Sequence, residues 1–477
     1  MISKEMNHPM STARMSSASR STAGRSTAAR PLRSPARAAL ALSATLALSL
    51  TAACGSSGGT GSSGPAKTSA ADALSTPTTL TFWTWVPNIQ KTVDLFEAKY
   101  PNIKVKVVNA GQSGDEYTKL QTAVKAGSGG PDVAQIEYFA LPQFALSKQV
   151  VNLADYGAAS LRSTYTASAW DQVALQGGVY GYPQDTGPLT MFYRTDVFNS
   201  LGLKPPTTWD EFTADAAKIH AADPSHYIAS IDPGDAGGVD SLIWQAGGKP
   251  FQNTGSTAVS LNLKDNGTAQ FANLWTSLLS KKLVDPVPGW TTDWWKGMGS
   301  GKYAVWIAGA WAPGPLESTI AQSSGKWAAA PVPQWTAGGT ASSENGGSSD
   351  AVVSTSTHKA AAAAFAAWLN SSTTGAQSLN TIGLFPATTA LLDSSTFLDQ
   401  SFPFFNGQKA NQVFAASSKG VNPGWQYLPY QVYANSVFKD SVGQAITNGS
   451  NLLTGLGSWQ GTVSQYGTQQ GFTVTGG

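Results

Sequence analysis

The sequence predicts an α/β fold, with a doubly wound parallel sheet opening the folded part of the chain. Two observations carry this: β-prone and helix-periodic segments alternate between residues 80 and 136, and Gly/Pro breaks separate them. Leu80-Thr81-Phe82-Trp83-Thr84-Trp85 is β-prone and is punctuated by Pro87-Asn88. Ile89, Val93, Phe96 and Tyr100 then recur at helical spacing until Pro101 ends the pattern. Ile103-Lys104-Val105-Lys106-Val107-Val108 sets apolar residues on one face and lysines on the other, as a strand does. A second helix is predicted from about Glu116 to Ala126, broken by Gly127-Ser128-Gly129-Gly130-Pro131, and Asp132-Val133-Ala134-Gln135-Ile136 reads as the third strand.

Further along, Thr208 and Glu211 have capping-box spacing, so a helix starts there. Helices are also predicted at 268–281, 358–370, about 373–381 and 429–447, with Phe365, Trp368 and Leu369 forming one face of the helix at 358–370. No period of 20–50 residues repeats, which excludes a solenoid.

The start of the chain is different in kind. Residues 1–54 carry seven basic side chains and one acid, and end in an apolar run, Ala38 to Ala53, followed by the only cysteine, Cys54. The run is shorter than the ~20 residues of a spanning helix, so it reads as a secretory signal. Leu50-Thr51-Ala52-Ala53-Cys54-Gly55 resembles the bacterial lipoprotein box, which implies Cys54 as a lipid anchor. It departs from that pattern in having Thr51 where leucine is usual. Residues 55–76 are rich in Gly and Ser and read as a flexible linker, with the folded part beginning near Pro77.

The overall formal charge of +2 therefore hides a basic leader, and residues 55–477 are mildly acidic. Only Arg162 and Arg194 remain beyond the leader and no basic cluster occurs, which argues against nucleic acid as a partner. One cysteine allows no internal disulfide, and no thiol-pair metal or redox site. Three scattered histidines beyond the leader, and the lack of HExxH, GxSxG or GxxxxGK[ST], leave no sign of an enzyme, metal or cofactor. The serious alternative is a secreted glycoside hydrolase, which is also Trp-rich and needs two carboxylates at a spacing that a sequence does not reveal.

LTFWTW, LFEAKYPNIKVKVV, the GSGGPDV turn, GVYGYPQDTGPLTMFYRTDVFNSLGLKPPTTWDEF, GSGKYAVWIAGAW and the FAAWLNS helix occur in order over residues 78–460. In that order and spacing they resemble the extracellular solute-binding proteins of ABC importers, in the carbohydrate-binding branch that includes maltose-binding protein. The resemblance implies a two-lobed, periplasmic-binding-protein-like fold with hinge segments crossing between lobes: one lobe of 78–186 plus 334–383, the other of 187–333 plus 384–477. It implies a monomer, held outside the bacterial cytoplasmic membrane by its lipid anchor alone. Such a protein delivers a carbohydrate ligand to the membrane subunits of an ABC permease; a non-sugar solute is the other reading within the family.

A sugar site needs aromatic platforms and side chains that exchange hydrogen bonds with hydroxyls. Sixteen tryptophans supply the platforms. Ligands bind beyond the carboxyl ends of the strands in doubly wound sheets, which points to Trp85 after the first strand and to Glu137 and Tyr138 after the third. The resemblance adds Trp311, in Ala310-Trp311-Ala312-Pro313 at the end of a strand, and Trp425, with Tyr430 as its rival, in a loop ahead of a helix. It places Asp185 in the first crossing segment, within sight of both lobes. Trp290 follows Pro288-Gly289 in an irregular stretch, and Asn345 lies in Glu344-Asn345-Gly346-Gly347 before a returning strand. Trp209, Trp275, Trp306 and Trp368 fall on regular elements and are predicted to be core.

Overall fold

The protein is described here by a computed structural model, which covers residues 69–476. The leader, Cys54 and most of the Gly/Ser linker lie outside the described residues. Among the described residues no helix is long and apolar enough to cross a membrane. The linker ends sooner than expected. Ser69 caps a helix, Ala70–Ser75, by accepting from the Asp72 amide at 3.1 Å, and Ala73 is buried in the core. Its Ala-Ala-Asp-Ala-Leu run has the small apolar face needed to dock, which the neighbouring Gly/Ser tract masks in the sequence.

One lobe is built on a five-stranded sheet in the order Ile103–Val108, Thr78–Trp83, Val133–Glu137, Ser348–Val352, Tyr182–Asp185. The first three strands are parallel, as the sequence predicts. Ser348–Val352 runs antiparallel to both of its neighbours, so the sheet is mixed. That strand is the chain returning from the other lobe, and it enters the sheet from the opposite end. Helix Lys359–Ser371 packs on it with the expected face inward: the Phe365 ring lies 5.5 Å from Phe82 and 4.9 Å from Phe96, each edge-on. Each fully buried phenylalanine of this kind contributes about 1.5–3 kcal/mol.

The other lobe centres on Leu189–Arg194, antiparallel to Val305–Gly309 on one side and Trp327–Pro331 on the other. Side chains alternate along a strand, so Leu189 and Met191 enter one core with Trp209 and Phe271, while Phe192 enters a second with Trp327 and Phe405. Helix Trp209–Ala222 starts with the reciprocal capping box that Thr208 and Glu211 predict. The predicted helix over 429–447 is broken into Gln431–Ser436, a tight turn at Phe438–Asp440, and Val442–Thr447. The break lets Phe438 point fully inward against Trp459, 5.2 Å away.

Three stretches of chain cross side by side between the lobes. The Asn345 amide donates to the Gly187 carbonyl at 2.7 Å, and the Thr186 amide donates to the Phe385 carbonyl at 3.2 Å. A Cβ at Gly187 would lie 2.1 Å from the Asn345 oxygen, so only glycine fits there. The second crossing falls later than the expected boundary at 333/334. Gln334 pairs with Thr208 and Trp209, and Ser342 with Gly420 and Asn422, so residues 334–343 remain with the second lobe. The return is made by Glu344–Gly347.

Candidate functional site

A cavity of about 310 Å³ opens where the two lobes meet the crossings. The first lobe contributes Glu137 and Phe139, from the carboxyl end of the third strand, and the crossing contributes Asn345, Gly346 and Gly347. The second lobe contributes Gly234 to Gly237, Asp240, Trp290, Trp311, Tyr427 and Asn435. None of these described lining residues is Lys or Arg.

Tryptophans make one wall. Asp232 fixes the approach to Trp290 by accepting from the Gly289 amide at 2.8 Å and the Gly234 amide at 2.7 Å. Trp290 itself adopts φ +62° and is 56% exposed, the most exposed large hydrophobic side chain described. A left-handed backbone and an uncovered indole both cost free energy, and such strain concentrates at ligand sites. Thr291 then caps helix Thr292–Ser300, which carries Trp294 and Trp295. Trp290 stacks on Trp311 at 5.9 Å and 26°, and Trp306 stands edge-on to both at 5.9 and 5.7 Å. Trp306 therefore belongs to this cluster, partly buried, where a purely core position was expected. The Trp311 indole is pinned by donating to the Asn345 carbonyl at 2.7 Å. Gly309 makes room for it, since a Cβ there would lie 2.3 Å from the indole nitrogen.

Carboxyl groups line the same cavity. Asp235 caps helix Ala236–Gln245 by accepting from the Gly238 amide at 2.8 Å. Asp240 follows on that helix, only 3% exposed. Its Oδ2 accepts from Gln431 Nε2 at 3.3 Å, while its Oδ1 has no partner in the protein. Burial, then the proximity of Asp235, pushes the Asp240 carboxyl well above the ordinary carboxylate range. Across the cavity Glu137 accepts from the Tyr117 hydroxyl at 2.9 Å. Burial raises its carboxyl too, opposed by hydrogen bonds from Ser113 and Tyr117.

Glu137, Trp290, Trp311 and Asn345 thus meet on one cavity. Trp85 does not line it; its ring stands edge-on at 6.5 Å to Tyr117, whose hydroxyl donates to Glu137. Four expected contacts lie elsewhere. Tyr138 is buried, and its hydroxyl donates to the Asp185 carbonyl at 2.9 Å. Asp185 is itself buried in the crossing, where Oδ1 accepts from the Ser348 amide at 2.8 Å. Trp425 is buried flat against Trp244, 5.2 Å away at 6°. Tyr430 is core, packed on Phe472 at 5.1 Å, with its hydroxyl enclosed by Gly467.

Glu137 and Phe139 turn to the cavity and Tyr138 to the other side, while in the irregular segment after Pro423 Trp425 is taken up by its stack on Trp244 and Tyr427 reaches the cavity instead. The signal for Asp240 was the single acid in the otherwise apolar run Ala236-Gly237-Gly238-Val239-Asp240-Ser241-Leu242-Ile243-Trp244, since a buried acid needs a reason. No group of three or more metal-ligating side chains occurs among the described residues.

A two-lobed α/β body with an aromatic and acidic cleft at its crossings defines a solute-binding protein. Residues 83–376 match the family of bacterial extracellular solute-binding proteins, and the chain belongs to that family. It is similar to the ABC-transporter-associated binding protein from B. animalis subsp. lactis, solved with β-1,6-galactobiose. The two share 38% identity and a TM-score of 0.74, over 83% of this chain and 99% of that one. The galacto-N-biose/lacto-N-biose I-binding protein from Bifidobacterium longum, solved with lacto-N-biose, has 25% identity and a TM-score of 0.73, with coverage of 83% and 99%. A lactose-binding protein from Rhizobium radiobacter is 29% identical over 56% of this chain and 65% of its own length, just under two thirds.

Proposed function

We propose that this chain is the extracellular substrate-binding component of an ABC transporter, capturing a neutral sugar or oligosaccharide in the interlobe cleft and delivering it to a membrane permease. One observation carries the reading. The stacked Trp290–Trp311 pair shares a cavity with Asp240, whose buried Oδ1 has no partner among the described residues, and no described lining residue is a base. Stacked indoles offer a flat apolar face to a sugar ring, and an unpartnered buried oxygen is costly until something bonds to it. The absence of Lys and Arg from the lining disfavours an anion. The binding of β-1,6-galactobiose, lacto-N-biose and lactose by similar proteins supports the same ligand class.

In this reading Trp290 and Trp311 are the platforms, and Asp240, Glu137 and Asn345 exchange hydrogen bonds with ring hydroxyls. The lobes close over the ligand about the three crossings, a recognised hinge motion. The lipoprotein-like sequence around Cys54 supports a tether at the outer face of the cytoplasmic membrane, from which a monomer works with its permease. It binds without turnover.

Thermal unfolding with lactose, lacto-N-biose, β-1,6-galactobiose and maltose, followed by chromatography of the sugars, tests this. At least one sugar is expected to stabilise the fold, by about 2.7 kcal/mol when present at 100 times its Kd, and to be recovered intact. Cleaved sugar would make the protein a hydrolase. Stabilisation only by non-sugar solutes would overturn the carbohydrate class.

A further inference from the structure

Asp240 and Asn435 reach the cavity from two different helices, Ala236–Gln245 and Gln431–Ser436, and one buried side chain bonds to both. That side chain is Gln431, which is fully buried and does not itself line the cavity. Its Oε1 accepts from the Leu428 amide at 3.2 Å, so the Gln431 amide is not free to turn over. Its Nε2 donates to Asp240 Oδ2 at 3.3 Å and to Asn435 Oδ1 at 3.0 Å. An amide nitrogen has two hydrogens, and both are spent on residues of the cavity wall.

These bonds decide which atoms the wall offers. Asp240 has Oδ2 held from behind, which leaves Oδ1 as the oxygen without a partner. Asn435 follows Gln431 by four residues, the spacing at which side chains meet on a helix. With its oxygen turned back to Gln431, its Nδ2 is the end left over, and that nitrogen has no hydrogen-bond partner among the described residues. The two ends of an asparagine amide have nearly the same shape, so without Gln431 either end could face the ligand. Leu428, the third partner, directly follows the cavity residue Tyr427, so the same amide also braces the turn that carries Tyr427.

We propose that Gln431 is a positioning residue for sugar recognition: it presents Asp240 Oδ1 and Asn435 Nδ2 together, and Asn435 Nδ2 donates to a hydroxyl oxygen of the same sugar ring that Asp240 bonds. This rests on the sugar-binding reading and adds to it a donor, Asn435, and the buried group that fixes its direction.

Calorimetric titration of the folded chain, Gln431→Met, Asn435→Leu and the double variant with β-1,6-galactobiose, lactose and lacto-N-biose tests it, with unfolding midpoints measured alongside. Gln431→Met keeps the length of the side chain and removes both donated bonds, while Asn435→Leu keeps the branched shape and removes the donor. For a sugar that binds the unsubstituted chain, each single variant is expected to raise the Kd at least tenfold. The double variant should raise it no more than threefold beyond the larger single loss, because both substitutions remove the same donor. Losses that multiply, as two independent structural defects would give, overturn the positioning role. An unchanged Kd in either single variant overturns it too, and Asn435→Leu, at a half-buried position, gives that result even if Gln431→Met does not fold. No binding of any of the three sugars to the unsubstituted chain would remove the sugar-binding reading, and this inference with it.

Discussion

The crossings and the cleft are neighbours built from the same residue types, yet they treat a buried carboxyl in opposite ways. In the crossings, Glu344 accepts from Ser168 at 2.9 Å and from the Gly187 amide at 2.8 Å. Just beyond them, on the strand Ser348–Val352, Asp350 accepts from Asn370 at 2.8 Å and from Gln184 at 3.1 Å, and Asp185 holds the Ser348 amide. In the cleft, Asp240 keeps one oxygen without a partner and Trp290 stands open to solvent. The crossing carboxyls are held by the protein's own donors, whereas in the proposed site one buried carboxyl oxygen lacks a protein partner and one indole stands exposed.

The largest expected effect is in the crossings. Gly187→Ala forces a Cβ onto the Asn345 carbonyl, 2.1 Å away, and should cost about 3 kcal/mol or more by chemical denaturation. A neutral result would mean that the crossing is not rigid.

The next effect is on pH. Burial, against the opposing hydrogen bonds, pushes Glu344 up to about 8 from 4.5, and Asp185 and Asp350 up to about 7 from 3.8. The folded state therefore holds protons that the unfolded chain has released. The stabilising contribution is full below about pH 4 and is lost as pH rises through 7 to 8, at up to about 1.4 kcal/mol per pH unit for each group. Denaturation midpoints across this range should fall with rising pH, and Glu344→Gln should flatten the upper part of the decline. A stability that rises over the same range would contradict the assignment.

Cleft substitutions should act the other way, on affinity and not on stability. Asp240→Ala and Trp311→Ala are each expected to weaken sugar binding by about 1–3 kcal/mol, roughly 5- to 150-fold, read by calorimetry. The smallest effect is that of Trp290→Gly on the free protein. Relief of the left-handed backbone offsets the loss of an exposed indole, so stability should stay within about 1 kcal/mol while affinity drops. A collapse of stability would move Trp290 from the ligand's platform into the architecture.

The same contrast explains what the sequence made legible. Periodicity and capping are local, and they located the three parallel strands, the helix after Thr208 and the buried face of Phe365 and Leu369. The antiparallel return of Ser348–Val352 and the break at Phe438 depend on contacts distant in sequence, which local patterns do not carry. In the site, residue type alone did not separate ligand-facing from buried groups. Trp311 and Trp425 both sit in Gly/Pro-flanked loops, but only Trp311 borders the tryptophan cleft. Tyr138 and Glu137 are adjacent, and the strand's alternation decides between them.

The most direct measurement is calorimetric titration of the folded chain and its Trp311→Ala variant with lacto-N-biose, lactose and β-1,6-galactobiose. Saturable one-to-one binding of at least one of these is expected, weakened roughly 5- to 150-fold in the variant while the unfolding midpoint holds. Equal affinity in the two proteins would contradict the claim that the Trp290–Trp311 wall is the ligand's platform.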